Sequence, residues 1–212
     1  MLFDRNTKRT ILLDLDGTLV DSATSVLDSL QFALHENGFF IAPVLKRTLI
    51  GPPIGEILKS LLPEASEKSL RLVKRSFFKV YDEKNCGNCS VYDGSFNFLE
   101  KMKSLDKDVY LVTNKRERPT KEILLKHGLT RYFKRTYSID SFPEQSISSK
   151  SGLLSHIKSK ENLDYSEAIY IGDTAGDCLS CNENKLDFIF AEWGYGSSFT
   201  LDCIKAPNFY SI

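Results

Sequence analysis

Short runs of apolar residues recur along the chain and alternate with stretches in which apolar residues stand three or four positions apart. The nearly continuous apolar runs are at residues 10–14, 109–113, 168–172 and 187–191. Helical spacing is clearest at residues 94–105 and 120–129. Continuous apolar strands are typical of a parallel sheet whose two faces are both covered by helices. The pattern therefore predicts an α/β fold with a doubly wound parallel sheet. Weaker patterns predict further strands near residues 136–140 and 208–212.

Residues 22 to about 90 interrupt this alternation of strands and helices. They carry helical patterns at 25–39 and 70–84 but no convincing strand, and the Gly-, Asn- and Ser-rich segment 86–94 resembles a linker that returns to the sheet. We therefore expect an α/β core made of residues 1–20 and 91–212. Residues 21–90 are expected to form an inserted helical cap above the carboxyl end of the first strand.

Polar side chains follow several of the predicted strands. Asp14 and Asp16 end the first strand and are followed by Gly17, which permits a tight turn. Similar strand ends carry Thr113 with Asn114 and Gly172 with Asp173, whereas Asp177 and Lys150 stand near the starts of predicted helices. In open α/β sheets, ligands bind at the carboxyl ends of the strands. We expect these groups to meet in one crevice.

Several carboxylates in one crevice repel one another unless a cation lies between them. An oxygen-rich set of ligands without imidazole favours Mg²⁺, which is commonly bound together with a substrate phosphate. The Lys150 ammonium and the Thr113 hydroxyl are suited to holding that phosphate, and Asn114 is a third candidate. Phosphomonoester hydrolysis is very slow without catalysis, so a route through an aspartyl-phosphate is attractive. Asp14 is then the nucleophile and Asp16 the general acid and base.

Composition narrows the classes of partner. The 28 basic and 28 acidic residues balance, and no run of like charge suggests binding to nucleic acid or to a membrane surface. The polar N-terminal segment and the short apolar run after it match neither a secretory signal nor a membrane span. We expect a cytoplasmic monomer or homodimer that acts on a small molecule. The five cysteines include two Cys-x-x-Cys pairs, which we interpret as reduced structural thiols, and the three scattered histidines receive no role.

Four segments resemble the ordered motifs of the haloacid dehalogenase superfamily: DLDGTLVDS, VTNK, Lys150 and YIGDTAGD. The helical insertion is similar to the C1-type cap of that superfamily. The segments at 49–58, 91–94, 113–115 and 192–197 look most like the phosphoglycolate phosphatase group. The resemblance implies a magnesium-dependent phosphatase, with phosphoglycolate as the first substrate to test.

Carried onto this sequence, the resemblance implies that Mg²⁺ is held by the Asp14 carboxylate, the Asp16 backbone carbonyl and Asp173. Asp177 is then a further ligand or a neighbour of the ligands. Gly51, Pro52 and Lys115 are the candidate residues for substrate specificity. The acid at position 16 is the mark of phosphoryl transfer, and the dehalogenase branch lacks it.

Other interpretations stay open at this point. Lys150 is followed by Ser151 where the family often has proline, so Lys158 and Lys160 compete for its role. Another sugar phosphate or a nucleotide would fit the same motifs, as would a phosphomutase that returns the phosphoryl group to a sugar. Outside the enzymes, a receiver domain would lack the helical insertion, and an inactive member would serve only as a binding module.

Overall fold

A computed structural model of the chain describes residues 8–41, 45–196 and 203–212. Within these ranges the strands are β1 (Thr10–Leu13), β2 (Val20–Asp21), β3 (Ser90–Val91), β4 (Asp108–Thr113), β5 (Arg135–Ser138), β6 (Ala168–Gly172), β7 (Asp187–Ala191) and β8 (Ile204–Ala206). The α-helices are α1 (Ala23–Glu36), α2 (Ile54–Leu61), α3 (Glu67–Val80), α4 (Ser95–Ser104), α5 (Glu117–Lys126), α6 (Lys150–Lys160) and α7 (Ala175–Glu183). Ser197, the last residue of the 192–197 segment, and residues 1–7 lie outside the described residues.

Six of these strands form one parallel sheet in the order β5-β4-β1-β6-β7-β8. Successive residues of a strand point to opposite faces, and β1 shows this directly. Ile11 and Leu13 pack into one buried apolar cluster, whereas Leu12 packs into the other. The two clusters lie on opposite faces of the sheet, and helices cover both. The predicted doubly wound α/β fold is confirmed.

The strands at 10–14, 109–113, 168–172 and 187–191 are confirmed to within one residue at each end. The weaker strand near 136–140 is also present, as β5. The strand predicted near 208–212 is wrong: Phe209–Ser211 form a 3-10 turn, capped by the Asn208 side chain, which accepts a hydrogen bond from the Ser211 backbone N–H. The apolar residue Phe209 is buried against Trp193 and Phe98, although it does not lie in the sheet.

The inserted segment is helical, as expected. Helices α1, α2 and α3 pack around a third apolar cluster, which includes Leu30, Leu34, Val73 and Phe77. The chain leaves and re-enters the core through the short antiparallel pair β2 and β3. A π-helical turn, Tyr81–Asn85, continues α3 towards the crevice. The division of the chain into a core (1–20 and 91–212) and a cap (21–90) stays a prediction.

No helix in the described part of the chain combines the length and the apolar character needed to cross a membrane. The cytoplasmic location expected from the sequence stays a prediction. Within the described residues the five cysteines form no disulfide, and Cys86, Cys178 and Cys181 are buried.

Candidate active site

The predicted crevice lies at the carboxyl ends of three adjacent strands. Asp14 follows β1 and Asp173 follows β6, and the Asp14 backbone N–H donates to the Ile171 carbonyl, 3.0 Å away, which fixes one strand end against the other. Thr113 is the last residue of β4, on the other side of β1. Asp177 lies in the first turn of α7 and Lys150 is the first residue of α6.

Lys150 occupies the centre of this group. Its Nζ lies 3.0 Å from Asp14 Oδ2 and 2.5 Å from Asp177 Oδ1, and it donates to the Tyr170 hydroxyl at 2.9 Å. The Lys150 side chain is 3% exposed, whereas Lys158 and Lys160 are exposed on the same helix. Of the three lysines that the sequence left in competition, Lys150 is therefore the one that the fold brings to the aspartates.

Asp173 is buried and held from two sides. The Thr18 hydroxyl donates to Asp173 Oδ1 at 3.0 Å, and the Tyr195 backbone N–H donates to Oδ2 at 2.8 Å. Gly17 has φ +81°, and a Cβ built on it would lie 2.1 Å from Asp173 Oδ2. Glycine is thus required here both for the left-handed turn and for the close approach of the carboxylate.

Three carboxylates face one ammonium in this group. The pKa of Asp14 is raised to about 6, because burial, Asp177 and Asp16 together raise it by more than Lys150 lowers it. Burial also raises the pKa of Asp173 well above its ordinary value. Burial alone would lower the pKa of Lys150, but the charges of Asp14 and Asp177 outweigh it, so the ammonium stays charged. The ionised group has an excess of two negative charges.

The same residues fit a hard divalent cation. Oxygens of Asp14, Asp173 and Asp177 lie within 4.8 Å of one another, and all three residues are buried. Asp14 Oδ1 has no hydrogen-bond partner among the described residues, although it is buried. A buried carboxylate oxygen without a donor is unfavourable unless a ligand satisfies it. Carboxylate oxygens are the ligands that Mg²⁺ prefers.

We expect the metal-free protein to lose stability as the pH rises from about 4 to about 6. The pKa of Asp14 is about 6 in the folded state against 3.8 in a free chain, so the folded state binds this proton more tightly. The stabilisation is complete below the unfolded pKa and is lost as the pH rises through the folded one, a change of about 3 kcal/mol. Urea unfolding in EDTA, compared between wild type and Asp14→Asn across this range, measures it. A difference between the two proteins that does not change with pH would contradict the expectation.

Asp16 has a different environment from the buried group. Lys115 Nζ donates to its two carboxylate oxygens at 3.0 and 2.9 Å, and the Ser22 hydroxyl also donates to Oδ1. Lys115, predicted to contact substrate, therefore pairs with Asp16 in the described arrangement, and it also lines the cavity described below. Its Nζ lies 4.8 Å from the centre of the Tyr81 ring, which belongs to the inserted segment.

Asn114 and Arg116, in the loop after β4, make side-chain contacts with the helical insertion. Asn114 Nδ2 donates to the Gly51 carbonyl at 3.2 Å, so in the described arrangement this predicted phosphate ligand binds the insertion. Arg116 Nη2 lies 2.6 and 2.7 Å from the two carboxylate oxygens of Asp82, and its guanidinium stacks 3.6 Å from the centre of the Phe78 ring. The loop after β4 thus sets the position of the insertion above the site.

A cavity of about 420 Å³ lies between the insertion and the core. Asp14, Asp16 and Thr113 line it from the core side. The predicted specificity residues Gly51 and Pro52 line it from the other. The cavity therefore joins the carboxylate group to the inserted segment, as a substrate site requires.

Sequence reasoning missed three groups that shape the site. They are Thr18 and Tyr195, which hold Asp173, and Arg116, which binds the insertion. Thr18 stands directly after the Asp-Gly turn, where a hydroxyl next to a carboxylate cluster could have been noted. Arg116 and Asp82 are 34 positions apart, and no local pattern links them.

Comparison with known proteins agrees with this geometry. A family model described as haloacid dehalogenase-like hydrolase matches residues 11–191. The 5'-nucleotidase of Pseudomonas aeruginosa is 29% identical over 194 residues, 88% of this chain and 84% of that protein. The phosphoglycolate phosphatase of Psychrobacter arcticus is 25% identical over 205 residues, 89% of this chain and 85% of that protein.

A third relative carries a different name. Tyrosine-protein kinase PtkA of Mycobacterium tuberculosis is 26% identical over 197 residues, which cover 91% of this chain. This chain spans only 65% of that protein's length. A solved structure of PtkA superposes with a TM-score of 0.80 at 23% identity, covering 96% of this chain and 95% of that chain. At this identity the superposition shows a shared fold.

Proposed function

The chain belongs to the haloacid dehalogenase-like hydrolase family, and on that premise we propose that it is a magnesium-dependent phosphatase acting on a small-molecule phosphomonoester. The observation that carries the proposal is Asp14: its Oδ1 is buried without a hydrogen-bond partner among the described residues, while its Oδ2 lies 3.0 Å from Lys150 Nζ. A carboxylate with one oxygen held and the other free, on the wall of a cavity, is suited to act as a nucleophile.

In the proposed first step, Asp14 Oδ1 attacks the phosphorus of the substrate. A new P–O bond forms to Asp14, the bond from phosphorus to the substrate oxygen breaks, and Asp16 gives its proton to the departing oxygen. In the second step, water attacks the phosphorus, Asp16 takes a proton from it, and the bond to Asp14 breaks. Both Asp14 and Asp16 return to their starting states, and the products are an alcohol and inorganic phosphate.

The described arrangement of Asp16 supports its part in the second step. Its carboxylate oxygens accept hydrogen bonds from Lys115 and Ser22. Both oxygens are hydrogen-bond acceptors in this arrangement, and an acceptor is what a proton of the attacking water requires. Delivery of a proton in the first step requires one Asp16 oxygen to turn from Lys115 to the substrate oxygen, while the other oxygen keeps its hydrogen bond from the lysine. The substrate oxygen would then compete with the lysine for the same carboxylate.

The remaining groups stabilise charge on the transferring phosphoryl group. Lys150 is buried and charged beside Asp14, and the Thr113 hydroxyl is buried at the end of the neighbouring strand. Preorganised donors of this kind are worth most in a site from which water is excluded. Asp14, Asp173 and the Asp16 carbonyl, with Asp177 beside them, are the groups that would hold Mg²⁺. When bound, the ion supplies positive charge that offsets the negative charge of the carboxylates and of the phosphoryl oxygens.

The names of the relatives support phosphomonoesters as the substrate class. Phosphoglycolate and nucleoside 5'-monophosphates are the two candidates that those names supply. The relative named as a tyrosine kinase has a phosphoryl acceptor other than water, so the assay must separate hydrolysis from transfer.

We expect purified protein to release inorganic phosphate from p-nitrophenyl phosphate in Mg²⁺, and EDTA to lower the rate by at least about 100-fold. Excess Mg²⁺ added after EDTA should restore the rate, because the carboxylates are already in place. A panel containing phosphoglycolate, a nucleoside monophosphate and a sugar phosphate, with a parallel search for an isomerised sugar product, separates hydrolase from mutase. Full activity in EDTA would contradict the proposed dependence on Mg²⁺. Transfer of phosphate from ATP to tyrosine, without phosphate release from any monoester, would replace the proposed function.

A further inference from the structure

The lining of the cavity above Asp14 is largely apolar away from the reacting carboxylates. Side chains from α2, α3 and the loop before α6 form this part of the wall: Ile54, Ile57, Phe77, Phe78, Phe142 and Ile147. Volumes of a few hundred cubic ångströms with an apolar wall are typical of sites that enclose most of a drug-sized molecule. At about 420 Å³, the cavity has room for a leaving group beyond the phosphate.

In the described arrangement, two of the cations on the cavity wall already have carboxylate partners. Lys115 is paired with Asp16, and Arg116 is paired with Asp82 while its guanidinium covers one face of Phe78. The Asp140 carboxylate, which also lines the cavity, adds a negative charge. A carboxylate on the substrate would have to break one of these pairs or face an apolar wall.

Among the described residues that line the cavity, Lys74 is the remaining cation. It is exposed, and its Nζ lies 5.7 Å from the centre of the Phe78 ring. An exposed lysine in water binds a carboxylate weakly. Lys74 therefore provides little selectivity for an anionic leaving group, and its removal is a direct test of that point.

We propose that the physiological substrate is the phosphomonoester of an uncharged alcohol with an apolar or aromatic body, and not of one that carries a carboxylate. The inference rests on the proposed phosphatase function and chooses among its substrates. Transfer of an apolar ring from water to this wall is favourable, whereas transfer of an ionised carboxylate is unfavourable unless a partner neutralises it. The inference therefore ranks phosphoglycolate low among the candidate substrates.

Three phosphomonoesters of primary alcohols test the proposal, because their leaving oxygens are chemically similar. Isobutyl phosphate replaces the carboxylate of phosphoglycolate by an isopropyl group of nearly the same shape, and benzyl phosphate adds a ring. With the Mg²⁺-loaded protein we expect kcat/KM to rise by at least about 10-fold from phosphoglycolate to isobutyl phosphate, and by about 10-fold again to benzyl phosphate. Phosphoglycolate hydrolysed as fast as isobutyl phosphate, or faster, would overturn the inference and leave the phosphatase function intact. No release of phosphate from these esters or from p-nitrophenyl phosphate would overturn both.

Two substitutions make the same test from the side of the protein. Ile54→Lys places a cation on the apolar wall, and it should raise the ratio of kcat/KM for phosphoglycolate to that for isobutyl phosphate by about 10-fold or more. Ile54→Met is the matched uncharged control and should leave the ratio within about 2-fold. An unchanged ratio in Ile54→Lys would overturn the inference. So would a selective loss of phosphoglycolate hydrolysis in Lys74→Met, because Lys74 would then be a carboxylate-binding residue.

Discussion

Asp14→Asn is expected to lower kcat by about 10⁴-fold or more on the best substrate of the panel. The substitution keeps the size of the side chain but replaces a carboxylate oxygen by an amide, which is a poor nucleophile at phosphorus. The buried Oδ1 that lacks a hydrogen-bond partner in the described residues is the atom that the change affects most directly. Steady-state phosphate release, followed by rapid quench with labelled substrate, measures the loss of both turnover and covalent labelling.

Two control variants separate the effect of losing the nucleophilic oxygen from the effect of losing a negative charge. Asp14→Glu keeps the negative charge but moves it by one methylene, and a displacement of that size is expected to cost about 100-fold. Asp28→Asn removes an exposed carboxylate of α1 and should leave kcat within about 2-fold. Circular dichroism must show that Asp14→Asn is folded. Covalent labelling that survives in the folded Asn variant would place the phosphoryl group on another residue.

Much of the fold could be predicted from the sequence because burial on both faces leaves a clear signal. Strands β1, β4, β6 and β7 each have a neighbouring strand on both sides, and their apolar runs are buried except at Asp187, the first residue of β7. The edge strand β8 has three residues, of which Ile204 and Lys205 are exposed, so it has no such run. The strand predicted near residues 208–212 is wrong for the opposite reason. Phe209 is buried against Trp193, and its apolar side chain gives a turn the appearance of a strand.

The same contrast applies to the site residues. Some positions follow from the predicted strands, whereas others depend on contacts between residues far apart in the chain. The positions of Asp14, Asp173 and Thr113 at strand ends follow from the parallel sheet, since all its strands end at one edge. The partner of Lys115 does not follow, because Asp16 is 99 positions away and both residues carry charges that could equally face a substrate. The same holds for Arg116, whose partner Asp82 is brought to it by the π-helical turn after α3. The position of the inserted helices relative to the sheet decides these pairs, and no periodicity in the sequence encodes that position.

Lys150→Met is expected to lower kcat/KM by about 10³-fold and to destabilise the metal-free protein at neutral pH by about 3 to 5 kcal/mol. The first effect comes from the loss of a buried donor beside Asp14. The second comes from the carboxylates of Asp14, Asp173 and Asp177, which would face one another with no cation between them. Methionine keeps most of the aliphatic stem, so the change is mainly one of charge. Urea unfolding in EDTA and steady-state kinetics in Mg²⁺ measure the two effects separately.

The electrostatic origin of the destabilisation can be tested with pH and with metal. Protonation of the carboxylates relieves their repulsion, so the loss of stability in Lys150→Met should shrink as the pH falls from about 7 to about 4. On the proposed function, Mg²⁺ would bind the folded site and not the unfolded chain, so adding it should restore part of the stability at neutral pH. Lys158→Met and Lys160→Met, on the exposed side of the same helix, should change the free energy of unfolding by no more than about 0.5 kcal/mol. A loss in Lys150→Met that neither acid nor Mg²⁺ reduces would mean that Lys150 stabilises the fold by packing alone, and the carboxylates would then not be the crowded, cation-dependent group on which the proposed chemistry depends.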